Sequence, residues 1–256
     1  WDPELNKGAI WTYWQGAYRD TGRDEGATLV IQTVNRKGWF WYIPQHDNVV
    51  SVGVVAEGKY LTRGGVRDPK AIFHREVEEN LWIKEHLSVG EPVGEYFLTS
   101  EYSFHSRHCG CEGLLLVGDA FAFLDPVFSS GLMLALKSGM MAGERIHEGL
   151  VSGDLSPGHF AEYGAAIRTG VENMRKLVYA FYDENVSFRT VVDKYPVVNG
   201  DLTDCLSGDV NKDFSRMFAA FSEFTQLPEP LPYGVPQPAA VATATTRNRI
   251  SVSSLP

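Results

Sequence analysis

The sequence predicts a mixed α/β (α+β) fold in which an antiparallel sheet comes first, then a buried strand, then a run of helices. Three observations carry this reading. Between Gly26 and Glu57, β-branched and aromatic runs are separated by short polar turns, as in an antiparallel meander. At Leu114-Leu115-Leu116-Val117 an all-apolar run enters Gly118-Asp119-Ala120, the pattern of a strand covered on both faces in a parallel sheet. Beyond Ser130 the apolar spacing becomes helical.

The elements follow in order. Thr28-Leu29-Val30-Ile31 is the first strand of the meander and Gly38-Trp39-Phe40-Trp41-Tyr42-Ile43-Pro44 the second. His46-Asp47-Asn48 forms a polar turn, and Val49 to Val55 is the third strand. One face of such a sheet packs on a core while the other can look onto a ligand. Asp68-Pro69 starts a helix, with a carboxylate at the N-cap and proline in the first turn; Ile72, Phe73, Val77 and Leu81 continue it to about Leu87. A returning strand is predicted from Glu95 to Phe104. The helix from Ser130 to about Leu150 carries small residues, Ala135, Ser138, Gly139, Ala142 and Gly143, which permit close approach to a sheet or cofactor. Ser156-Pro157 starts the next helix, with a stripe of Phe160, Tyr163, Ile167, Val171, Met174, Val178 and Phe181, and a shorter helix carries Phe214, Met217, Phe218 and Phe221. Beyond Pro228 a Pro-rich stretch and a Ser/Thr/Ala-rich tail predict an extended or poorly ordered terminus.

Composition narrows the function classes. A chain of 256 residues with 44% hydrophobic and 21% charged residues can bury a substantial core. A net charge of -9 without basic runs argues against a broad nucleic-acid surface. No apolar run approaches the ~20 residues that span a bilayer. Three cysteines, Cys109, Cys111 and Cys205, make no disulfide framework, and no secretory leader opens the chain, so a cytoplasmic setting is expected. The opening Trp1-Asp2-Pro3-Glu4 lacks Met, which predicts sequence upstream.

The chemistry concentrates between Leu116 and Leu132. Ligands of open α/β sheets sit beyond the carboxyl ends of strands. Gly118 permits close approach, the Asp119 carboxylate can accept from sugar-like hydroxyls, and a helix start at Ser129 or Ser130 offers unpaired amides to an anion or an electron-rich ring edge. A plain turn followed by a plain helix cap would read the same way. Trp39 and Trp41, two apart on a strand, share one face and form either an aromatic wall or sheet core. Trp11, Tyr13 and Trp14 either line an aromatic pocket or pack beside it.

Gly118-Asp119-Ala120 with Pro126 and Gly131 resembles the second FAD motif of the para-hydroxybenzoate-hydroxylase fold, a glutathione-reductase-type flavoprotein fold with an inserted antiparallel substrate-binding sheet. Phe123-Leu124-Asp125-Pro126-Val127-Phe128-Ser129-Ser130-Gly131 is similar to FAD-dependent halogenases of the phenol and pyrrole type, and Trp39-Phe40-Trp41-Tyr42-Ile43-Pro44 fits their Trp-x-Trp-x-Ile-Pro motif at every fixed position. The resemblance implies FAD contacts at Gly118, Asp119, Ala120, Pro126, Gly131 and Leu132, and halide at Ser130 and Gly131. It gives Trp39, Trp41, Ile43 and Pro44 a catalytic part and puts Trp11, Trp14 and Phe128 in the acceptor pocket.

The reaction so implied uses reduced FAD from a flavin reductase, oxygen, and chloride or bromide. A flavin C4a-hydroperoxide is attacked by halide, and the hypohalous acid formed halogenates an electron-rich aromatic or carrier-tethered acceptor. An FAD monooxygenase, a geranylgeranyl-reductase-like oxidoreductase and a non-catalytic flavin-binding relative are the alternatives.

On this resemblance residues 1–105 are a partial substrate-binding sheet domain, 106–155 a returning FAD segment, 156–227 a helical region and 228–256 a tail. Two departures qualify it. The family's opening βαβ unit with Gly-x-Gly-x-x-Gly, and the lysine that follows it, are absent from these residues, so full FAD affinity and halogenation are not expected of this chain alone. Phe128 stands where the tryptophan-specific branch carries a glutamate. The His105-Ser106-Arg107-His108-Cys109-Gly110-Cys111 stretch does not have zinc-site spacing, and Asp183, Glu184 and the later aspartates read as a solvated acidic face, so no metal is expected.

Overall fold

The computed structural model describes residues 1–100 and 102–235. Its main sheet has five strands: β1 (Lys7–Gln15), β2 (Leu29–Gln32), β3 (Gly38–Pro44), β4 (Val49–Glu57) and β5 (Glu91–Ser100). They lie in the order β2-β3-β4-β1-β5, with antiparallel pairing throughout. The meander is β2 to β4, as the sequence pattern predicts. Its second turn places Asp47 and Asn48 at φ 56°, and the Val49 amide donates to the His46 carbonyl at 3.1 Å. This two-residue left-handed turn matches the twist of the flanking strands. Trp11, Tyr13 and Trp14 do not merely precede the sheet but belong to β1, which joins the meander to β5.

Alternation then sorts the side chains onto two faces. Ile10, Trp14, Phe40, Tyr42, Val50, Val52 and Val54 form one core with Ile72, Phe73, Val77, Ile83 and Leu87. The latter come from α2 (Pro69–Glu79) and α3 (Leu81–Leu87), which follow the short α1 (Gly58–Leu61). Asp68 caps α2 by accepting from the Ala71 amide at 2.8 Å, with Pro69 in the first turn. The single helix expected to Leu87 is two helices. Asn80 has extended backbone and accepts from the Ile83 amide at 3.2 Å, closing one helix and capping the next.

Beyond β5 come the short strands β6 (Phe104–His105), β7 (Gly110–Cys111), β8 (Leu114–Leu115) and β9 (Ala122–Phe123). Among the described residues the expected buried strand at Leu114 to Val117 has no parallel partner, and only its first two residues are strand. β8 pairs antiparallel with β7 alone, and Leu114 is 53% exposed and Val117 39%. Only Leu115 and Leu116 pack on the core, so the run is covered on one side among the described residues.

The helices α4 (Gly131–Ser152), α5 (Ala161–Tyr182), α6 (Phe188–Lys194), α7 (Val198–Leu206) and α8 (Ser215–Ser222) complete the fold. α5 starts four residues beyond Pro157, because 156–161 makes turns in which the His159 and Ala161 amides donate to Ser156 and Gly158. Tyr163, Ile167, Val171 and Met174 of its stripe join Met217, Phe218 and Phe221 in the helical core. A third cluster, Leu5, Ala9, Trp39 and Val55 with Val127 and Val178, joins the second sheet face to the helices. Residues 228–235 form an extended strap: the Leu231 amide donates to Glu172 at 3.2 Å, the Gly234 amide to the Arg107 carbonyl at 2.7 Å, and Tyr233 stacks on Phe121. The rest of the predicted tail lies outside the described residues. No helix among them is long and apolar enough to cross a membrane.

Candidate functional site

The second sheet face presents an aromatic wall. Trp39 and Trp41 lie 6.1 Å apart between ring centroids, Trp11 lies 6.2 Å from Trp41, and Phe97 stacks on Trp11 at 5.4 Å. β1, β3 and β4 place Trp11 and Trp41 on either side of Gly53. A Cβ at Gly53 would sit 2.2 Å from the Trp41 ring, so glycine there is what lets the indole lie across the strand. The Trp41 indole donates to Ser51 Oγ at 3.1 Å, which sets its tilt. Gly53 was not legible as a site residue, since one glycine in a valine-rich strand reads as a weak spot or bulge.

Trp11 and Trp41, with Ala9, Thr99, Tyr102, Phe123 and Pro126, line a cleft of about 360 Å³. The Tyr102 hydroxyl is buried there without a hydrogen-bond partner among the described residues, and burial raises its pKa. A second cleft, of about 220 Å³, shares Phe123 and Pro126 with the first and is lined by Asp119, Asp125, Ser129, Ser130, Gly131 and Leu132 among others.

Local sequence builds this second cleft. Gly118 adopts φ 51°, and a Cβ there would meet Ala135 at 2.9 Å; its amide donates to buried Ser138 Oγ at 2.9 Å. The Gly-Asp turn is thereby fastened to α4 by two of the small residues singled out from the sequence. Asp119 and Ala120 remain exposed. Ser129 takes a left-handed conformation, φ 53°, which side-chain-bearing residues rarely adopt. It turns the chain so that α4 starts at Gly131, with the unpaired amides of its first turn at the cleft edge.

Asp125 is 1% exposed. Its carboxylate accepts from the Val127 amide at 3.0 Å and from Tyr182 Oη at 2.8 Å. Burial raises its pKa to about 6 against the lowering effect of these bonds. The Trp39 indole donates to Tyr182 Oη at 2.8 Å.

The structure brings together Trp11, Trp41 and Pro126 at one cleft and Asp119, Pro126, Ser130, Gly131 and Leu132 at the other. Trp39 lies behind the wall, 2% exposed. Ile43 and Pro44 continue β3 and border neither cleft. Trp14 is corrected from pocket to core. Three residues beyond Trp11 it falls on the opposite face, stacks on Phe73 at 6.2 Å and donates its indole hydrogen to the Leu87 carbonyl at 3.0 Å. Phe128 also leaves the pocket, packing at 5.9 Å from Phe181 and 6.0 Å from Phe188. No three His, Cys, Asp or Glu side chains gather as a metal site among the described residues.

The groups at the second cleft fit a flavin. Gly131 leaves the backbone open, since a Cβ there would meet nothing within 4 Å among the described residues, Asp119 offers an exposed acceptor for hydroxyls, and the helix start favours an electron-rich edge. Sheet, turn and helix start define the class as a segment of the FAD-dependent halogenase fold. The chain belongs to the tryptophan halogenase family, whose model matches residues 23–191.

Among curated relatives, the 1H-pyrrole-2-carbonyl-[peptidyl-carrier protein] chlorinase of Pseudomonas fluorescens is 30% identical over 172 residues, 67% of this chain and 38% of that protein. The flavin-dependent halogenase otaD of Aspergillus niger is 34% identical over 148 residues, 56% of this chain and 31% of its own length. The chain thus spans well under half of either relative. Among solved structures, the flavin-dependent brominase Bmp2 superposes with a TM-score of 0.76 at 22% identity, over 87% of this chain and 55% of that one.

Proposed function

We propose that this chain supplies the acceptor wall and the flavin-edge turn of a flavin-dependent halogenase acting on an electron-rich aromatic ring. The observation that carries the reading is that two clefts, one walled by indoles and one at a helix start, share Phe123 and Pro126 in their walls. Bound FAD, reduced by a separate reductase, would react with molecular oxygen and so supply the oxidising equivalents that turn chloride or bromide into an electrophilic halogen.

The residues act around that chemistry. Asp119 holds the ribityl hydroxyls, and the first-turn amides near Ser130 and Gly131 hold the halide anion. Trp11 and Trp41 stack on the acceptor ring and keep water from it, while the Tyr102 hydroxyl offers a polar contact to a ring substituent. Phe128 packs against Phe181 and Phe188 and supplies no carboxylate, which favours an acceptor activated by its own electrons, as phenols and pyrroles are. A carrier-tethered pyrrole is among these, in keeping with the chlorinase relative. Free Cys109, Cys111 and Cys205 accord with a reducing cytoplasm.

The test uses the whole gene product with enzymatically reduced FAD, oxygen, bromide and a phenol and pyrrole panel, read by mass spectrometry with catalase present. Enzyme- and bromide-dependent brominated product is the expected result. Hydroxylated product alone would move the assignment to a monooxygenase, and flavin binding without product across the panel to a non-catalytic relative.

A further inference from the structure

In the wall of the second cleft lies a buried carboxylate, Asp125, that the proposed chemistry does not use. One oxygen of Asp125 caps its own turn at the Val127 amide, a job that Ser, Thr or Asn does without burying a charge. The other oxygen reaches a different element: Tyr182, in the last turn of α5, donates to it and in turn accepts the Trp39 indole hydrogen. A hydrogen-bonded line therefore runs from strand β3 of the sheet, through the end of α5, to the turn that leads into α4. Isolated buried charge is unfavourable, and this one is retained where three elements must keep one register.

We propose that Asp125 and Tyr182 are positioning residues that fasten the Trp39 indole to the Pro126–Gly131 turn, so that the aromatic wall and the helix-start cleft hold a fixed separation. The groups around the junction fit that role. Lys7 lies 4.3 Å from the Tyr182 ring centroid, with its ammonium paired to Glu57 at 3.2 Å. The Tyr102 hydroxyl, also buried, has no hydrogen-bond partner among the described residues. Tyr182 and Tyr102 both stay neutral, because burial and the Asp125 charge raise their pKa values. Asp125 is thus the group whose protonation changes the line: when it binds a proton, the oxygen facing Tyr182 turns from acceptor to donor.

Because the clefts have roles only under the halogenase reading, the coupling is tested on the chain itself by 15N NMR, without turnover. The Trp39 indole resonance is expected to titrate with a midpoint near 6, while that of Trp41, bonded to Ser51, does not. Tyr182→Phe and Asp125→Asn should each abolish that titration. Each should also speed exchange of the Ser129 and Leu134 amides roughly tenfold, the loss of about one charge-assisted bond. Trp39→Phe, which keeps a ring but removes the far donor, should speed the same amides. Far-UV circular dichroism establishes that each variant is folded. A Trp39 resonance that titrates unchanged in folded Tyr182→Phe, or turn amides indifferent to all three substitutions, would overturn the proposal.

Discussion

At the scale of single residues, Asp125 ties stability to pH in an unusual direction. Its pKa rises from 3.8 to about 6 on burial, so between those values the folded chain holds a proton that the unfolded chain has released. Stability from this group is therefore greatest below about pH 4 and falls as pH rises through 6, by up to about 3 kcal/mol at 1.36 kcal/mol per unit. Asp125→Asn keeps a cap for the Val127 amide and abolishes the titration. The variant's stability relative to the parent should therefore increase from pH 4.5 to 7.5 in urea melts; a difference that stays flat with pH would refute this. Much of the site was legible at this scale: Trp41, Asp119, Ser130 and Gly131 lie at clefts, as their residue types and spacing suggested. Trp14 was misread because Trp11-Thr12-Tyr13-Trp14 is nearly uniform in hydropathy. Only the strand's period separates the two indoles onto opposite faces. Tyr182 was invisible, since its partners Trp39 and Asp125 lie 143 and 57 residues away.

Elements were legible where one periodicity ran between clear punctuation. The meander and the long helices were of this kind. Lys7–Gln15 was hard to see as a strand because it is covered on both faces and lacks a polar alternation. Asn80 was hidden because Val77 and Leu81 continue a helical spacing across it, although Asn80 divides the backbone there. The run at Leu114 pairs antiparallel with β7 among the described residues, which the sequence did not foretell, since apolar composition does not say which neighbour pairs with it. In α4, Gly139 and Gly143 have open space where a Cβ would stand, unlike Ala135 and Ser138, which receive the Gly118 turn. Gly139→Ala should therefore stabilise this chain by about 1 kcal/mol through helix propensity alone, measured by urea denaturation. No gain, or a loss, would mean that Gly139 has a contact requiring its missing side chain.

Across the whole molecule, the outer face of α4 is apolar. Leu132, Leu136 and Met140, spaced as one stripe, are 73%, 62% and 71% exposed. Contiguous apolar surface of this kind drives association. The chain by itself should accordingly sediment as a concentration-dependent oligomer, and Leu136→Glu should shift it toward monomer in analytical ultracentrifugation. Equal sedimentation of the two would show that the stripe is not sticky.

The order β2-β3-β4-β1-β5 also sets a timetable for folding. The β2-β3-β4 meander can zip through neighbouring turns, but among the described residues β5 has β1 as its only sheet neighbour, pairing Gly8 with Ser100 and Gln15 with Glu91. That closure spans most of the first hundred residues, and distant pairings form late. On the ribosome β1 can dock on β4 early, leaving one edge open until Glu91–Ser100 emerges. Removal of the first 22 residues would strand β5 altogether, even though the family match begins at residue 23.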